Sequence, residues 1–295
     1  MKRFQAHSDF LYRIKQSPFN TNHVATCSYD NTTKIWDSSN NAWTIIRSYT
    51  QHTSRVYGID FIDEDTIASG SKDQTIKIWS LSSGQTIRTI NANSEVNCLK
   101  LLKNRVHLTA GLLSGDINIY NINDGSLVSS LKGHTWNVND LVQISDEIFA
   151  SSGDTTVRIW NLTANATKFI LQGHGSNVNG LKQISFDIVA SGSNDNNIKL
   201  WNVTNGTLIR TLTGHYTYFS IDLLNVTNGG EQTVLISGSV VQSIKTWNWK
   251  TGKCLNTLNT SNSQVFSLAV IRTLTTASVP LTTDTNANKS TQSKF

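Results

Sequence analysis

Apolar stretches of about five or six residues recur along the whole chain, many alternating with polar side chains and separated by turns rich in Asn, Asp, Gly, Ser and Thr. After His134 the order is VNDLVQI, EIFASS, a turn at Gly153 and Asp154, TTVRIW, a polar turn, then KFILQ leading into the next Gly-His. Alternation with period two, broken by such turns, predicts four short antiparallel strands in a meander. No segment sustains a helical period, so helix plays at most a minor part. A sheet of this kind is apolar on both faces and cannot stand alone. Copies must stack, and closing them into a ring removes the outermost faces.

The copies are visible as a repeat. SYDNTTKIWD, SKDQTIKIWS, SSGDTTVRIWN and GSNDNNIKLWN carry Trp36, Trp79, Trp160 and Trp201, and weaker copies carry Tyr120 and Trp247. Successive aromatics are 43, 41, 40, 41 and 46 residues apart. A second landmark, a His after Gly or another small or polar residue, falls at His7, His52, His134, His174 and His215. It stands 26 to 29 residues before its own aromatic in four cases and 32 before it for His215. Two landmarks held in phase over this length define a structural unit of about forty residues.

The Gly-His, the Ser-Gly-Ser…Asp turn and the terminal Ile-Trp-Asp/Asn resemble the WD40 repeat family over residues 1 to about 275. Repeats two, four and five match best, with QH…ASGSKDQTIKIW, GH…ASSGDTTVRIW and GH…ASGSNDNNIKLW. The resemblance implies an all-β fold: a seven-bladed β-propeller of four-stranded antiparallel blades, with six clear repeats and a partial seventh closed by the N-terminal strand. Residues 2 to 6 occupy the place of a fourth strand that lacks its own first three. SQVFSLAV and TLTTAS resemble the first and second strands of that seventh unit, and no Asp turn or Ile-Trp strand follows Ala277. The expected domain is therefore residues 1–277, with 278–295 a disordered tail or the remnant of an incomplete blade.

Ser, His and Asp recurring together are the parts of a hydrolase triad. Their repetition argues against catalysis, because a reaction needs one such set and the chain has four. These are His7, Thr26, Asp30 and Trp36; His52, Ser69, Asp73 and Trp79; His134, Ser151, Asp154 and Trp160; and His174, Ser191, Asp195 and Trp201. The resemblance implies a buried hydrogen-bond chain in each blade, from the indole N–H to the hydroxyl, the hydroxyl to His, and His to Asp. Repeat three has lost the set, with Ala92, Ser114 and Tyr120 at the His, Asp and Trp positions, and repeat six carries Val241 at the Asp position. Lys or Arg two places before the aromatic, at Lys34, Lys77, Arg158, Lys199 and Lys245, is spread round a ring and cannot converge on one ligand.

Charge and composition narrow the function further. The net charge is +5, but the basic residues are scattered, unlike a nucleic-acid footprint. No apolar run reaches membrane-spanning length, and the opening FQAHSDFLYRIKQ lacks the apolar block of a signal peptide. An intracellular site of action, cytoplasmic or nuclear, is the expectation. Cys27, Cys98 and Cys254 form neither a disulfide framework nor a metal knuckle, and phosphate-loop, dinucleotide and zinc motifs are absent. No cofactor, metal or catalytic residue is expected.

Binding is expected on one rim of the ring, where the repeats differ. The connections after the His landmark present Arg55, Trp136, Asn177, Tyr216 and Tyr218, and the turns between second and third strands add Tyr29, Lys72 and Asn194. Exposed aromatic and Arg side chains are the usual energetic anchors of interfaces. Trp136 stands out, since sibling repeats have small or polar residues there. The expected function is a non-catalytic scaffold or adaptor that binds peptides or folded proteins, a monomeric ring within a larger assembly. The alternative is the substrate-recognition subunit of a multi-protein enzyme such as a ubiquitin ligase.

Overall fold

The computed structural model describes residues 7–40, 42–214, 218–226, 232–239, 243–260, 267–270 and 281–283. Among them are six four-stranded antiparallel sheets, one short two-stranded sheet and no helix. Blade one is β1 (Leu11–Gln16), β2 (His23–Ser28), β3 (Thr33–Asp37) and β4 (Thr44–Tyr49). Blade two is β5 (Val56–Phe61), β6 (Thr66–Ser71), β7 (Thr75–Ser80) and β8 (Thr86–Asn91). Blade three is β9 (Val96–Leu101), β10 (His107–Leu112), β11 (Ile117–Asn121) and β12 (Leu127–Leu131). Blade four follows with β13 (Val138–Gln143), β14 (Ile148–Gly153), β15 (Val157–Asn161) and β16 (Ala166–Leu171). Blade five is β17 (Val178–Gln183), β18 (Ile188–Ser193), β19 (Asn197–Asn202) and β20 (Thr207–Thr213). Blade six is β21 (Tyr218–Val226), β22 (Gln232–Ser239), β23 (Ser243–Asn248) and β24 (Lys253–Asn259). The small sheet pairs β25 (Leu268–Val270) with β26 (Leu281–Thr283).

Apolar burial between sheets explains why the blades stack. Second strands such as β6 are buried almost throughout, third strands alternate, and fourth strands are exposed along the outer edge. Seven buried clusters result, one at each junction between sheets. Ile35 and Tyr49 of blade one, for example, meet Ile59, Phe61 and Trp79 of blade two. The last two clusters close the ring: Ile236 and Ile244 of blade six pack on Leu268, while Val24 and Trp36 of blade one pack on Ala269. Strand β25 thus stands in the seventh position, between β21 and β1. The N-terminal closing strand at residues 2 to 6, and TLTTAS, lie outside the described residues. Strand β26 falls within the segment expected to be tail or remnant, and it is paired to β25.

Polar links reinforce each junction. On the channel side, Asp60 accepts from Leu101 N (2.9 Å), Asp140 from Leu181 N (3.0 Å) and Asp222 from Val270 N (2.7 Å), each reaching the next blade. Ser267 Oγ accepts from Ile14 N at 3.1 Å and so ties the last sheet to the first. On the outside, Arg88 donates to Asn123 O and Asp124 O of the next blade, and Arg47 and Arg210 do the same at Leu81, Ser82, Lys250 and Thr251. The lysines two places before the aromatic serve their own blade: Lys77, Lys199 and Lys245 donate to Thr89, Thr211 and Thr257 on the paired fourth strand.

Every pairing of first and second strands in the six blades carries a bulge near its start, at Tyr12, Tyr57, Asn97, Asn139, Asn179 and Phe219. A bulge inserts one unpaired residue and re-aims its side chain. In blades one and two that residue is a tyrosine, which shapes the face described next.

Candidate protein-docking face

The turns between second and third strands and the connections entering each first strand share one face of the ring, and the landmark residues fix them. In blade four, Trp160 Nε1 donates to Ser151 Oγ (2.7 Å), Ser151 Oγ meets His134 Nε2 (2.7 Å), and His134 Nδ1 meets Asp154 (3.2 Å). Blade five repeats this with Trp201, Ser191, His174 and Asp195, and blade one with Trp36, Thr26, His7 and Asp30. Since a carboxylate only accepts, the proton lies on Nδ1 and Nε2 accepts from the hydroxyl. Burial would raise the pKa of Asp30, Asp73 and Asp154, but hydrogen bonds from His, Thr and backbone N–H groups outweigh it and hold them well below the ordinary carboxylate range. Burial lowers the pKa of His174 despite Asp195.

Blade two departs from the expected set. His52 reaches Ser69 and Asp73, each at 2.8 Å, but the buried Trp79 Nε1 has no acceptor. Two residues set this blade apart. Tyr49 stacks on the Trp79 ring at 4.5 Å where blades four and five have Leu131 and Leu171. Gln51 also stands where blades four and five have Gly133 and Gly173; a Cβ at those glycines would lie 3.0 and 3.4 Å from Cη2 of Trp160 and Trp201. The Trp79 indole, unlike those of blades one, four and five, does not reach its hydroxyl. In blade six Trp247 reaches Ser237 at 2.8 Å; His215 and Val241 lie outside the described residues. In blade three Thr109 Oγ1 donates to Lys100 O instead, and Asn118 donates to Tyr120 Oη.

The hydroxyls of Ser69, Ser151 and Ser191 are fully buried, and in blades four and five Oγ is engaged on both sides. A substrate carbonyl cannot approach them, so the triad-like geometry positions loops. Each Asp also grips the residue after the landmark His: Asp73 accepts from Thr53 N, Asp154 from Thr135 N and Asp195 from Gly175 N. The segments carrying Arg55, Trp136 and Asn177 are anchored in this way.

Upon this frame the structure joins several of the expected rim residues. Arg55 lies over the Tyr29 ring, 4.4 Å from its centroid, bringing blades one and two together. Tyr29 also packs on Phe10, Tyr12 and Tyr57, with centroids 5.6 to 5.8 Å away. Burial raises the phenol pKa of Tyr12 and Tyr29 and keeps both neutral. Lys72 donates its N–H to Arg55 O and pairs with Glu95 of blade three at 3.4 Å. Asn194 N donates to Asn177 O, and Asn194 Oδ1 accepts from Asn179.

Trp136 is 62% exposed, so it is not folded onto a neighbouring blade. The adjoining turn of blade three presents exposed Leu113, and Gly115 of that turn approaches the Trp136 carbonyl with φ +88°. Tyr218 departs from expectation: it begins β21 opposite Ser239, where sibling blades place Val56, Val138 and Val178, and so belongs to a strand and not to the connection. Tyr216 lies outside the described residues. Phe10, Tyr12, Tyr57 and Leu113 are additions that sequence reasoning missed; aromatic residues at the second position of strands one and five were the available signal.

Six four-stranded meanders around a closed ring, each first strand facing the axis, define a β-propeller. The family profile of the WD domain, G-beta repeat, matches residues 1–37, 43–80, 125–161 and 166–202, about half of the chain. The chain belongs to the WD40 family. It is 27% identical to protein tipD of Dictyostelium discoideum over 70% of this chain and 35% of that protein. It is 25% identical to the tRNA (guanine-N(7)-)-methyltransferase non-catalytic subunit wdr4 of the same organism, over 87% of this chain and 50% of that protein. A shorter stretch, 24% of this chain and 23% of the relative, is 42% identical to the D. discoideum peroxisomal targeting signal 2 receptor. The chain thus spans half or less of each of these relatives.

Proposed function

We propose that the chain is a non-catalytic scaffold or adaptor, and that it docks proteins or peptides on the face that carries the landmark loops of blades one to four. The observation that carries this reading is Trp136: a 62% exposed indole on an anchored loop beside Leu113, on the same face as the Arg55–Tyr29 stack. Rigid aromatic and Arg side chains lose little freedom on binding and bury much area, which makes them effective anchors. Membership of the WD40 family supports a binding role in general. Action inside the cell, in cytoplasm or nucleus, belongs to the same reading and fits the buried free thiols of Cys27 and Cys98.

The test is affinity capture with wild-type chain and Trp136→Ala and Arg55→Ala variants, read by quantitative mass spectrometry. Both variants lose the same subset of partners while stability changes by less than about 1 kcal/mol, as for exposed residues. An unchanged partner set in both variants removes the reading.

A second reading, a subunit that supplies recognition to a multi-protein enzyme, draws on the relative that is a non-catalytic methyltransferase subunit. Enrichment of enzyme components, a ubiquitin ligase among them, in the captured set would favour it over a plain scaffold.

A further inference from the structure

The ring encloses a cavity of about 830 Å³ on its axis, within the size range of small-molecule sites. Its wall is charged. Arg13 of blade one crosses to blade four, donating to Asp140 Oδ1 at 2.7 Å and to Asn139 O at 2.9 Å. Two positions further along the first strands, Lys15, Lys100 and Lys182 line the space. Lys182 is matched by Asp222 at 2.5 Å. Lys15 and Lys100 share one carboxylate: Asp60 lies 2.6 Å from Lys15 Nζ and 3.9 Å from Lys100 Nζ, and also accepts from Leu101 N. Asp60 is nearly buried, while both lysines reach the cavity.

Among the described residues the balance leaves one uncompensated positive charge between two ammonium groups that both reach the cavity. Burial, and then Lys100, press the Lys15 amine down to about 8 against the pull of Asp60. An anion placed between the two ammonium groups relieves that repulsion through charge-assisted hydrogen bonds. The Arg13–Asp140 bar lies toward the landmark face, so the open approach to the lysines is from the opposite face, past Ser17, Pro18 and Thr21.

We propose that the central cavity is a binding site for a small phosphate-bearing molecule, held between Lys15 and Lys100. Asp140 and Asp222 also border the cavity and limit it to one compact anion, because a longer polyanion would meet their carboxylates. The same phosphate chemistry could be offered by a free metabolite or by a phosphorylated side chain of a partner. Approach from the face opposite the docking loops, past Ser17, Pro18 and Thr21, favours the free molecule.

Isothermal titration with inorganic pyrophosphate tests this, with a phosphoserine peptide as the second arm at matched ionic strength. Pyrophosphate binds with one-to-one stoichiometry. Lys100→Gln, in which Lys15 still pairs Asp60, weakens it by about tenfold or more. Lys100→Arg retains binding, and Lys168→Gln on an exposed outer strand leaves it unchanged. Absence of binding at millimolar concentration, binding untouched by Lys100→Gln in a folded variant, or binding of the phosphopeptide alone each overturns the proposal. The outcome is independent of the docking face, whose residues lie outside this cavity except for Tyr12, Asn139 and Asn179 at its border.

Discussion

Replacing the buried landmark serine by alanine separates blade four from blade two. Ser151 Oγ accepts from Trp160 Nε1 and donates to His134 Nε2, both at 2.7 Å, so Ser151→Ala strands two buried polar groups. Ser69 Oγ meets His52 Nε2 at 2.8 Å, but Trp79 Nε1 already has no acceptor, so Ser69→Ala strands one. Each stranded group costs about 1–3 kcal/mol. The expected losses are about 2–6 kcal/mol for Ser151→Ala and about 1–3 kcal/mol for Ser69→Ala, a gap of about 1–3 kcal/mol. Ser191→Ala, with the same double engagement as Ser151, behaves like the larger case. Urea unfolding followed by tryptophan fluorescence measures the difference, with the m-value checked so that a midpoint shift reports stability alone. Equal losses in blades two and four, or a larger loss for Ser69→Ala, would refute the assignment of the Trp79 indole.

Three further outcomes follow from the same geometry. Asp30, Asp73 and Asp154 have folded-state pKa values below their unfolded ones, so the unfolded chain binds more protons in acid; their contribution is whole above the ordinary value of about 3.9 and is lost as pH falls through the folded values. The Tm of the wild type therefore falls more steeply with acidification than that of Asp154→Asn; parallel curves would count against the coupling. Blade three, whose Thr109 and Tyr120 make only local hydrogen bonds, exchanges its amide protons before blades four and five, and mass-resolved hydrogen exchange that finds it equally protected would contradict this. Asp154→Ala releases Thr135 N and loosens the Trp136 loop, so it weakens partner capture even at temperatures where the chain stays folded, which capture at matched folded fraction checks.

Much of the fold was legible because the repeat is written in residues whose burial forces one arrangement. A hydroxyl, an imidazole and a carboxylate spaced alike in four units, joined by the indole in blades one, four and five, find partners only if the strands pair as they do. What depends on neighbouring blades was not legible. The ring stacked on Trp79 is Tyr49 of the preceding blade, which no reading of repeat two alone can show. The same holds for Arg55 stacking on Tyr29, and for Arg88 reaching the carbonyls at Asn123 and Asp124. Tyr12 and Tyr57 were missed because their direction is set by a bulge, and Tyr218 was misplaced because unit six enters its first strand one residue early.

Docking of partners on the landmark face, and not on its opposite, is decided by where they crosslink. A photo-crosslinking amino acid in place of Lys72, exposed on that face, and separately in place of Phe186, 83% exposed in the loop between β17 and β18 on the other, tests it directly. Partner adducts form from position 72 and disappear on adding Trp136→Ala. Adducts from position 186 alone would put docking on the opposite face and overturn the proposal.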